Sequence, residues 1–436
     1  MTHPYNRDRY ARSNEMLKRA EKVIPLGSQT FSKSRIQYPQ GQAPLFLTHG
    51  RGGRVWDVDG NEYVDLVNGL LPIVLGYCDP DVDGAIRAQL DRGITFSLAT
   101  ELEIELAELL VEIIPSAEMV RFGKNGSDAT SACVRIARAA TGRDRIAAGG
   151  YHGWQDWYIG ATTRHKGVPG AVRALTHKFP FLDIEALEAL LNAHKGEFAG
   201  VILETVGATE PTRSQLEAIR DLTHRHGALL IFDEIITGFR VALGGAQARY
   251  EVTPDLAAFG KSMGNGMPIA AVVGRADLMS EMEHIFFSST FGGEALSLAA
   301  ALATVKKLRD RNVVNDLWSK GASLADGLRR LVTRHGLAHV IAVEGVPSWT
   351  LLSFRDASNG SSKEAVKTLL MIEMLRRGVL SAGSHNICYA HDADDMKHVL
   401  DAYDHALATV ANAVRAGDVE ARLGCPVIRP VFAVRG

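Results

Sequence analysis

Three short apolar runs in the middle of the chain constrain its fold most strongly. They cover residues 200–203, 228–232 and 270–273, and within each run the apolar side chains are not interrupted by polar ones. Strands of this kind are buried on both faces, as in a parallel sheet covered by helices. Stretches with helical spacing separate and flank the runs, at 103–114, 128–140, 183–195, 214–226 and 294–308. The pattern predicts an α/β fold with a mostly parallel sheet, whose ligands bind at the carboxyl ends of the strands.

The two ends of the chain have a different pattern. Residues 8–23 have the spacing of an amphipathic helix, and residues 54–67 are typical of a β-hairpin closed by an Asp59-Gly60 turn. Further helices are predicted at 314–335, 363–378 and 393–416, with short strands near 350–354 and 378–388. These elements predict a smaller α+β domain.

The length of 436 residues exceeds that of one small domain. We therefore expect a large ligand-binding domain at 61–312 and a small C-terminal domain at 313–436. The N-terminal segment, residues 1–60, is expected to join the small domain.

Charge and cysteine content exclude several classes of protein. The chain has 48 Lys and Arg against 50 Asp and Glu, a formal net charge of -2, and no basic stripe of the kind that nucleic-acid binders show. Its cysteines are far apart, which argues against a zinc site or a disulfide framework. The first residues are polar, and no apolar run approaches the ~18 residues needed to span a bilayer. We expect a cytoplasmic protein without metal, nucleic-acid or membrane partners.

Two carboxylates and a lysine are the first candidate catalytic groups. The run 228–232 ends in Asp233-Glu234, where a buried acid would lie at the mouth of the ligand crevice. Lys261 follows a second short apolar segment and precedes a loop that contains glycines and a proline. A catalytic lysine must be desolvated or otherwise tuned, because only its free amine is nucleophilic. The alternative is a solvated loop lysine, which is the commoner case.

Gly260-Lys261-Ser262 also resembles the end of a phosphate-binding P-loop. That motif needs a glycine five positions before Gly260, and the chain has Asp255 there. The spacing therefore excludes a P-loop.

Several loops could contact a phosphate or a flat ligand. Asn125-Gly126-Ser127-Asp128 precedes a helical stretch, where backbone N–H groups and a hydroxyl can bind an anion. Tyr151 lies in a glycine-rich segment and could lie flat against a planar ring. The segment 288–293 offers further hydroxyl and amide groups. Each feature alone is commonly a helix cap or packing, but together with Asp233 and Lys261 they are the parts needed to hold pyridoxal 5′-phosphate.

The chain resembles the class III pyridoxal-phosphate-dependent aminotransferases of fold type I. It is most similar to their glutamate-1-semialdehyde 2,1-aminomutase branch, from about residue 23 to residue 396. The motifs that support the resemblance are VWDVDGNEYVDL (55–66), EMVRFGKNGSDAT (118–130), ATGRDRI (140–146), GYHG (150–153), LLIFDEIITGFR (229–240) and the TPDL…GK…GNGMP block (253–268).

The resemblance implies a role for each matching residue. Lys261 would form the Schiff base and move the proton, and Asp233 would pair with the pyridine nitrogen. The other cofactor contacts that it implies are the ring-stacking Tyr151, Ile235 on the opposite ring face, the phosphate-binding Gly126 and Ser127, and the active-site Glu204. Thr290 would reach the phosphate of a neighbouring subunit, which implies a homodimer with shared active sites.

Departures from the aminomutase pattern bear on the substrate. Lys33 stands near the place of an arginine that grips the substrate carboxylate, and Leu70 replaces a pocket tryptophan. Trp154 replaces a histidine, and residues 378–391, where many aminotransferases have a carboxylate-binding arginine, contain none. Losing a bidentate guanidinium is not a conservative change.

These departures favour transfer between two small molecules. The amino donor would be glutamate, and the carbonyl acceptor a keto-sugar or another hydroxylated carbonyl compound, which Trp154 and Trp157 would suit. The alternatives are an intramolecular aminomutase and a non-catalytic protein that keeps the fold.

Overall fold

The structure is a computed structural model that describes residues 7–358 and 360–429. Within this part, the chain divides into two compact units. The terminal unit contains residues 7–70, 74–79, 315–358 and 360–429, and the central unit contains residues 71–73 and 80–314. Residues 61–70 group with the terminal unit, and the domain limits given above (1–60, 61–312 and 313–436) stay a prediction.

Helices and strands are numbered in chain order. The α-helices are α1 (Ala11–Ala20), α2 (Pro80–Leu90), α3 (Glu101–Ile113), α4 (Gly126–Thr141), α5 (Asp156–Ile159), α6 (Gly170–Arg173), α7 (Ile184–Ala193), α8 (Arg213–Arg225), α9 (Gly245–Tyr250), α10 (Ala276–Met279), α11 (Ala295–Asp310), α12 (Val313–Arg334), α13 (Lys363–Arg376) and α14 (Ala393–Ala416). The strands are β1 (Leu47–Arg51), β2 (Arg54–Asp57), β3 (Glu62–Asp65), β4 (Met119–Gly123), β5 (Arg145–Gly149), β6 (Thr176–Lys178), β7 (Phe198–Glu204), β8 (Leu229–Glu234), β9 (Leu256–Phe259), β10 (Ala270–Gly274), β11 (Ile341–Val346), β12 (Trp349–Phe354), β13 (Val379–Leu380) and β14 (Ser384–Asn386).

A seven-stranded sheet forms the core of the central unit, in the order β4-β10-β9-β8-β7-β5-β6. Five neighbouring strands, β9, β8, β7, β5 and β6, are parallel to one another. Strand β10 is antiparallel to both of its neighbours, β4 and β9. The predicted α/β fold with a mostly parallel sheet is therefore confirmed, but run 270–273 was expected to be parallel and is not. The link from β9 to β10 spans only residues 260–269, and a parallel connection needs a crossover of a dozen or more residues.

Capping residues set where the predicted helices begin. Asn125 and Thr212 accept hydrogen bonds from the backbone at the start of α4 and α8, and each forms a capping box. Such caps satisfy N–H groups that have no partner inside the helix. The long helices expected in the central unit are all present, with ends that differ from the prediction by a few residues.

The terminal unit contains two small sheets, β1-β2-β3-β13 and β11-β12-β14. The predicted hairpin is confirmed as the antiparallel pair β2 and β3, and Gly60 in its turn has a φ of 85°. Asp59 of this turn accepts hydrogen bonds from the backbone N–H groups of Arg12 and Ser13, at the start of α1. The hairpin turn therefore caps the first helix.

The described residues contain neither a helix suited to crossing a membrane nor a cluster of metal-binding side chains. None of the helices combines the length and apolar character that crossing a bilayer requires. No group of three or more His, Cys, Asp or Glu side chains in this part of the chain is arranged to hold a metal ion.

Candidate active site

The candidate site lies at the carboxyl edge of the central sheet. Glu204 at the end of β7 is paired in register with Asp233 on β8, and Gly149 at the end of β5 is paired with Leu203. Strand β9 ends at Phe259, which is paired with Glu234. Because parallel strands end at the same edge, the segments that follow them meet there.

Asp233 is a buried carboxylate at this edge. Its side chain is 6% exposed, its Oδ2 lies 2.8 Å from His152 Nδ1, and its Oδ1 accepts a hydrogen bond from the backbone N–H of Ile235. A carboxylate oxygen accepts, so the proton of this contact lies on His152 Nδ1. His152 Nε2 is buried and has no hydrogen-bond partner among the described residues.

His152 is a site residue that the sequence reasoning missed. The available signal was its position in the GYHG segment, directly after Tyr151. Its imidazole is 1% exposed and packs edge-on against Tyr158, with ring centroids 5.2 Å apart. The direction of this ring follows from tertiary packing, which the sequence pattern does not give.

Gly126 and Ser127 begin helix α4. Asn125 caps the helix, and the aspartate at the third helical position completes the capping box. The Ser127 hydroxyl accepts a hydrogen bond from the backbone N–H of Trp154 at 3.3 Å. A Cβ on Gly153, whose φ is 103°, would collide with the Ser127 hydroxyl. The helix N-terminus and the loop after β5 are therefore in direct contact, and the N–H groups at the start of a helix can bind an anion.

Ile235 connects the α4 N-terminus with the lysine loop. A Cβ on Gly126 would lie 3.1 Å from Ile235 Cδ1, and a Cβ on Gly260 would lie 3.2 Å from the same atom. Gly260 directly precedes Lys261, the first residue of a short 3-10 helix, Lys261–Gly264. Lys261 is half-buried and has a left-handed φ of 41°. The lysine backbone is therefore held in a conformation that non-glycine residues seldom adopt.

Tyr151 and Glu204 are in contact at the end of β7. The Tyr151 backbone N–H donates to Glu204 Oε2 at 3.0 Å, and the Tyr151 ring packs edge-on against Tyr158. Burial and then the negative charges of Asp233 and Glu204 raise the pKa of Tyr151. A Cβ on Gly150 would lie 2.7 Å from Glu204 Oε2, so the glycine permits this approach.

The other predicted residues are exposed or belong to the terminal unit. Thr290 is exposed, in the segment between the end of β10 and helix α11. Lys33 and Leu70 belong to the terminal unit. The backbone N–H of Trp154 donates a hydrogen bond to Ser127 Oγ, whereas the Trp154 side chain is 64% exposed.

The chain matches a known protein family and is similar in sequence to individual proteins of that kind. Residues 36–392 match the family model described as aminotransferase class-III. A 3-aminobutyryl-CoA aminotransferase of Cloacimonas acidaminovorans (strain Evry) is 35% identical over 410 residues, which span 92% of this chain and 97% of that protein. A glutamate-1-semialdehyde 2,1-aminomutase of Natranaerobius thermophilus is 35% identical over 431 residues, spanning 92% and 99%.

Solved structures give a similar result. The FumI protein of Sphingopyxis sp. MTA144 superposes with a TM-score of 0.86 at 29% identity, covering 93% of this chain and 98% of that one. An omega-transaminase from Sphaerobacter thermophilus has a TM-score of 0.81 at 28% identity, with 92% and 98% covered. The fold is that of the fold type I pyridoxal-phosphate transaminases.

Proposed function

We propose that this chain, which belongs to the class-III aminotransferase family, transfers an amino group from one small molecule to another. The donor amine becomes a carbonyl and the acceptor carbonyl becomes an amine. Oxidation of the donor carbon is matched by reduction of the acceptor carbon, so no external oxidant or reductant is needed. One observation supports this proposal. At one edge of the sheet the structure brings together Asp233, Ser127, Ile235 and the Lys261 loop.

Pyridoxal 5′-phosphate is the cofactor of this enzyme family, and the residues at the sheet edge fit it. The α4 N-terminus offers backbone N–H groups and the Ser127 hydroxyl to an anion. Asp233 offers a buried carboxylate to a protonated ring nitrogen. Gly126 and Gly153 permit the close packing of Ile235 and Ser127 beside it, where a Cβ would collide. When bound, the cofactor supplies an aldehyde for the amino group and a ring that withdraws electrons from the substrate carbon.

Each residue has a distinct part in the proposal. Lys261 would hold the cofactor through its aldehyde, and its Nζ would hold or move the proton at the substrate carbon. Asp233 would pair with the ring nitrogen, and His152 orients the Asp233 carboxylate through the 2.8 Å contact. Tyr151 and Ile235 would border the ring, and Gly126 and Ser127 would bind the phosphate. Glu204 fixes the Tyr151 backbone.

Covalent labelling of the lysine tests the assignment. Borohydride treatment of the protein loaded with pyridoxal 5′-phosphate, followed by peptide mapping, should find the label on Lys261. Lys261→Ala should abolish both the label and the visible absorbance while the far-UV circular dichroism stays that of the wild type. A label on another lysine, or a coloured Lys261→Ala protein, would refute the proposal.

The acceptor in our proposal is a keto-sugar or another hydroxylated carbonyl compound, with glutamate as donor. Of the two tryptophans that suggested it, Trp157 is buried and donates its indole N–H to Ser131 Oγ at 2.9 Å, so it packs in the core. The exposed Trp154 and the absence of arginine from the sequence 378–391 still support the proposal. An enzyme that aminates semialdehyde acids in single turnovers but no keto-sugar would refute this choice of acceptor.

An intramolecular aminomutase is the second candidate, supported by the similarity to glutamate-1-semialdehyde 2,1-aminomutases. An aminomutase needs no second substrate. Turnover of an amino aldehyde by the cofactor-loaded enzyme, with every other amino donor left out, would support this candidate over the first.

We also propose a homodimer in which Thr290 reaches the site of the partner copy. A groove of about 800 Å³ is lined by the exposed side chains of Ile104 and Met119. Ser289 and Gly292, which flank Thr290 in the sequence, line the same groove. Exposed apolar surface of this kind marks protein interfaces.

Mixing two inactive variants tests the shared site. Lys261→Ala and Thr290→Ala subunits, unfolded and refolded together, should form some dimers with one intact site, recovering about a quarter of the wild-type activity if pairing is random. A mixture no more active than the two variants apart would contradict a site shared between copies.

A further inference from the structure

Residues 68–71 form an unbroken run with a left-handed backbone. The φ angles are 46° at Asn68, 64° at Gly69, 78° at Leu70 and 85° at Leu71. Glycine adopts such angles readily, whereas bulky residues such as leucine are strained there. Strained backbone persists only where surrounding contacts hold it in place, and it tends to occur at functional sites.

Within the central unit, two buried donors hold the end of this run. The Leu71 carbonyl accepts a hydrogen bond from Ser262 Oγ at 3.3 Å and another from Arg240 Nη2 at 3.2 Å. Ser262 and Arg240 are fully buried. Ile73 lies against the same loop, because a Cβ on Gly266 would come within 2.9 Å of Ile73 Cδ1.

The lysine is part of the same arrangement. Lys261 directly precedes Ser262 and has a left-handed φ of its own, 41°. The hydrogen bond from Ser262 to Leu71 therefore joins two strained segments, one of which carries the lysine. Loss of this bond would let both segments relax toward commoner backbone angles.

We propose that Ser262 is a positioning residue that holds Lys261 and Leu71 in their left-handed conformations through its bond to the Leu71 carbonyl. The proposal rests on the proposed function only for the identity of Lys261 as the cofactor-binding lysine. Arg240 holds the same carbonyl, so removal of the serine hydroxyl should loosen the segment without unfolding it.

Ser262→Ala tests the proposal, with Ser116→Ala as the matched control. Ser116 is buried in the same unit, and its hydroxyl has no hydrogen-bond partner among the residues described. Amide hydrogen exchange of the enzyme purified with pyridoxal 5′-phosphate should be faster in peptides covering 68–73 in Ser262→Ala. A typical net hydrogen-bond contribution predicts an increase of about fivefold.

A spectroscopic readout reports on the lysine itself. In Ser262→Ala, the pH midpoint of the visible absorbance of the bound cofactor should shift, while in Ser116→Ala it should stay at the wild-type value. The proposal requires both effects. Both variants should melt within a few degrees of the wild type. An exchange rate in Ser262→Ala equal to that in Ser116→Ala would then overturn the proposal, and so would an equal pH midpoint.

The two proposals fail in different ways. A wild-type protein that never acquires visible absorbance with pyridoxal 5′-phosphate would refute the proposed function. Exchange in 68–73 can still be compared in that protein. A coloured Ser262→Ala protein with wild-type exchange and midpoint would refute only the role of Ser262.

Discussion

Asp233 and Glu234 are adjacent in sequence and both buried, yet they face different surroundings. Asp233 points to the sheet edge, where it contacts His152. Glu234 accepts hydrogen bonds from the backbone N–H groups of Ala246 and Gln247 at the start of α9, and burial raises its pKa. Neighbouring residues on a strand point to opposite faces, so only one of the pair can serve the site. The other one holds a helix.

Neutralising each carboxylate should separate these roles. In Asp233→Asn, the loss of the charged partner of the ring nitrogen should lower kcat on the order of 10²–10³-fold, with the melting temperature little changed. In Glu234→Gln, the melting temperature should fall while kcat stays within a few-fold of the wild type. Steady-state kinetics and thermal melting check both. Full activity in Asp233→Asn would mean that another acid holds the ring.

Because Gly153 lacks a side chain, its backbone can lie close to Ser127. Gly153→Ala would drive a methyl group into the Ser127 hydroxyl at the proposed phosphate site. We expect weaker binding of pyridoxal 5′-phosphate, measured as the loss of visible absorbance on dialysis. Gly167→Ala is the matched control, because Gly167 has a φ of 92° and no atom within 4 Å of an added Cβ. Equal losses in the two variants would mean that backbone strain, rather than the collision, weakens binding.

At the scale of elements, the sequence was informative where burial or capping dominates. Strands β7 and β8 and helices such as α4 and α14 follow from apolar runs and periodicity. The direction of β10 does not, because a run such as AAVV is buried equally well in either direction. Strand β11 was missed because most of its residues are only partly buried. The sequence predicted Asp233 and Lys261 from the residues, and Ser127 and Ile235 through the resemblance; their roles stay a prediction. The place of His152 beside Asp233 depends on tertiary packing, which the sequence pattern does not give.

The turn between β2 and β3 has a measurable effect on the first helix. Asp59 Oδ1 accepts from the Arg12 N–H at 2.7 Å, and Oδ2 accepts from the Ser13 N–H at 2.9 Å. Asp59→Ala should lower the free energy of unfolding by about 1 kcal/mol, the usual effect of losing a helix cap. Chemical denaturation measures it, with the exposed Asp91→Ala as control. No difference between the two variants would mean that α1 does not depend on this cap.

For the molecule as a whole, two buried histidines of the terminal unit couple its stability to pH. His385 lies 2.8 Å from Thr350 Oγ1 and 2.7 Å from the Tyr403 hydroxyl, and His391 Nδ1 accepts from the Cys388 N–H. Burial lowers the pKa of each to about 4. The folded state keeps both rings neutral at pH values where the unfolded chain already binds protons.

Stability should therefore fall on acidification. A histidine with a lowered folded-state pKa contributes fully above its unfolded value of about 6.5, and the contribution is lost as pH falls from there towards 4. Each histidine should reduce the free energy of unfolding by roughly 2 kcal/mol between pH 7.5 and pH 5. His385→Gln removes one of these groups, so denaturation should show a shallower loss over this interval, even if the variant is less stable at pH 7.5. His284→Gln, at an exposed position, should keep the wild-type slope. A wild-type slope in His385→Gln would mean that His385 accepts its proton in the folded state at the same pH as in the unfolded chain.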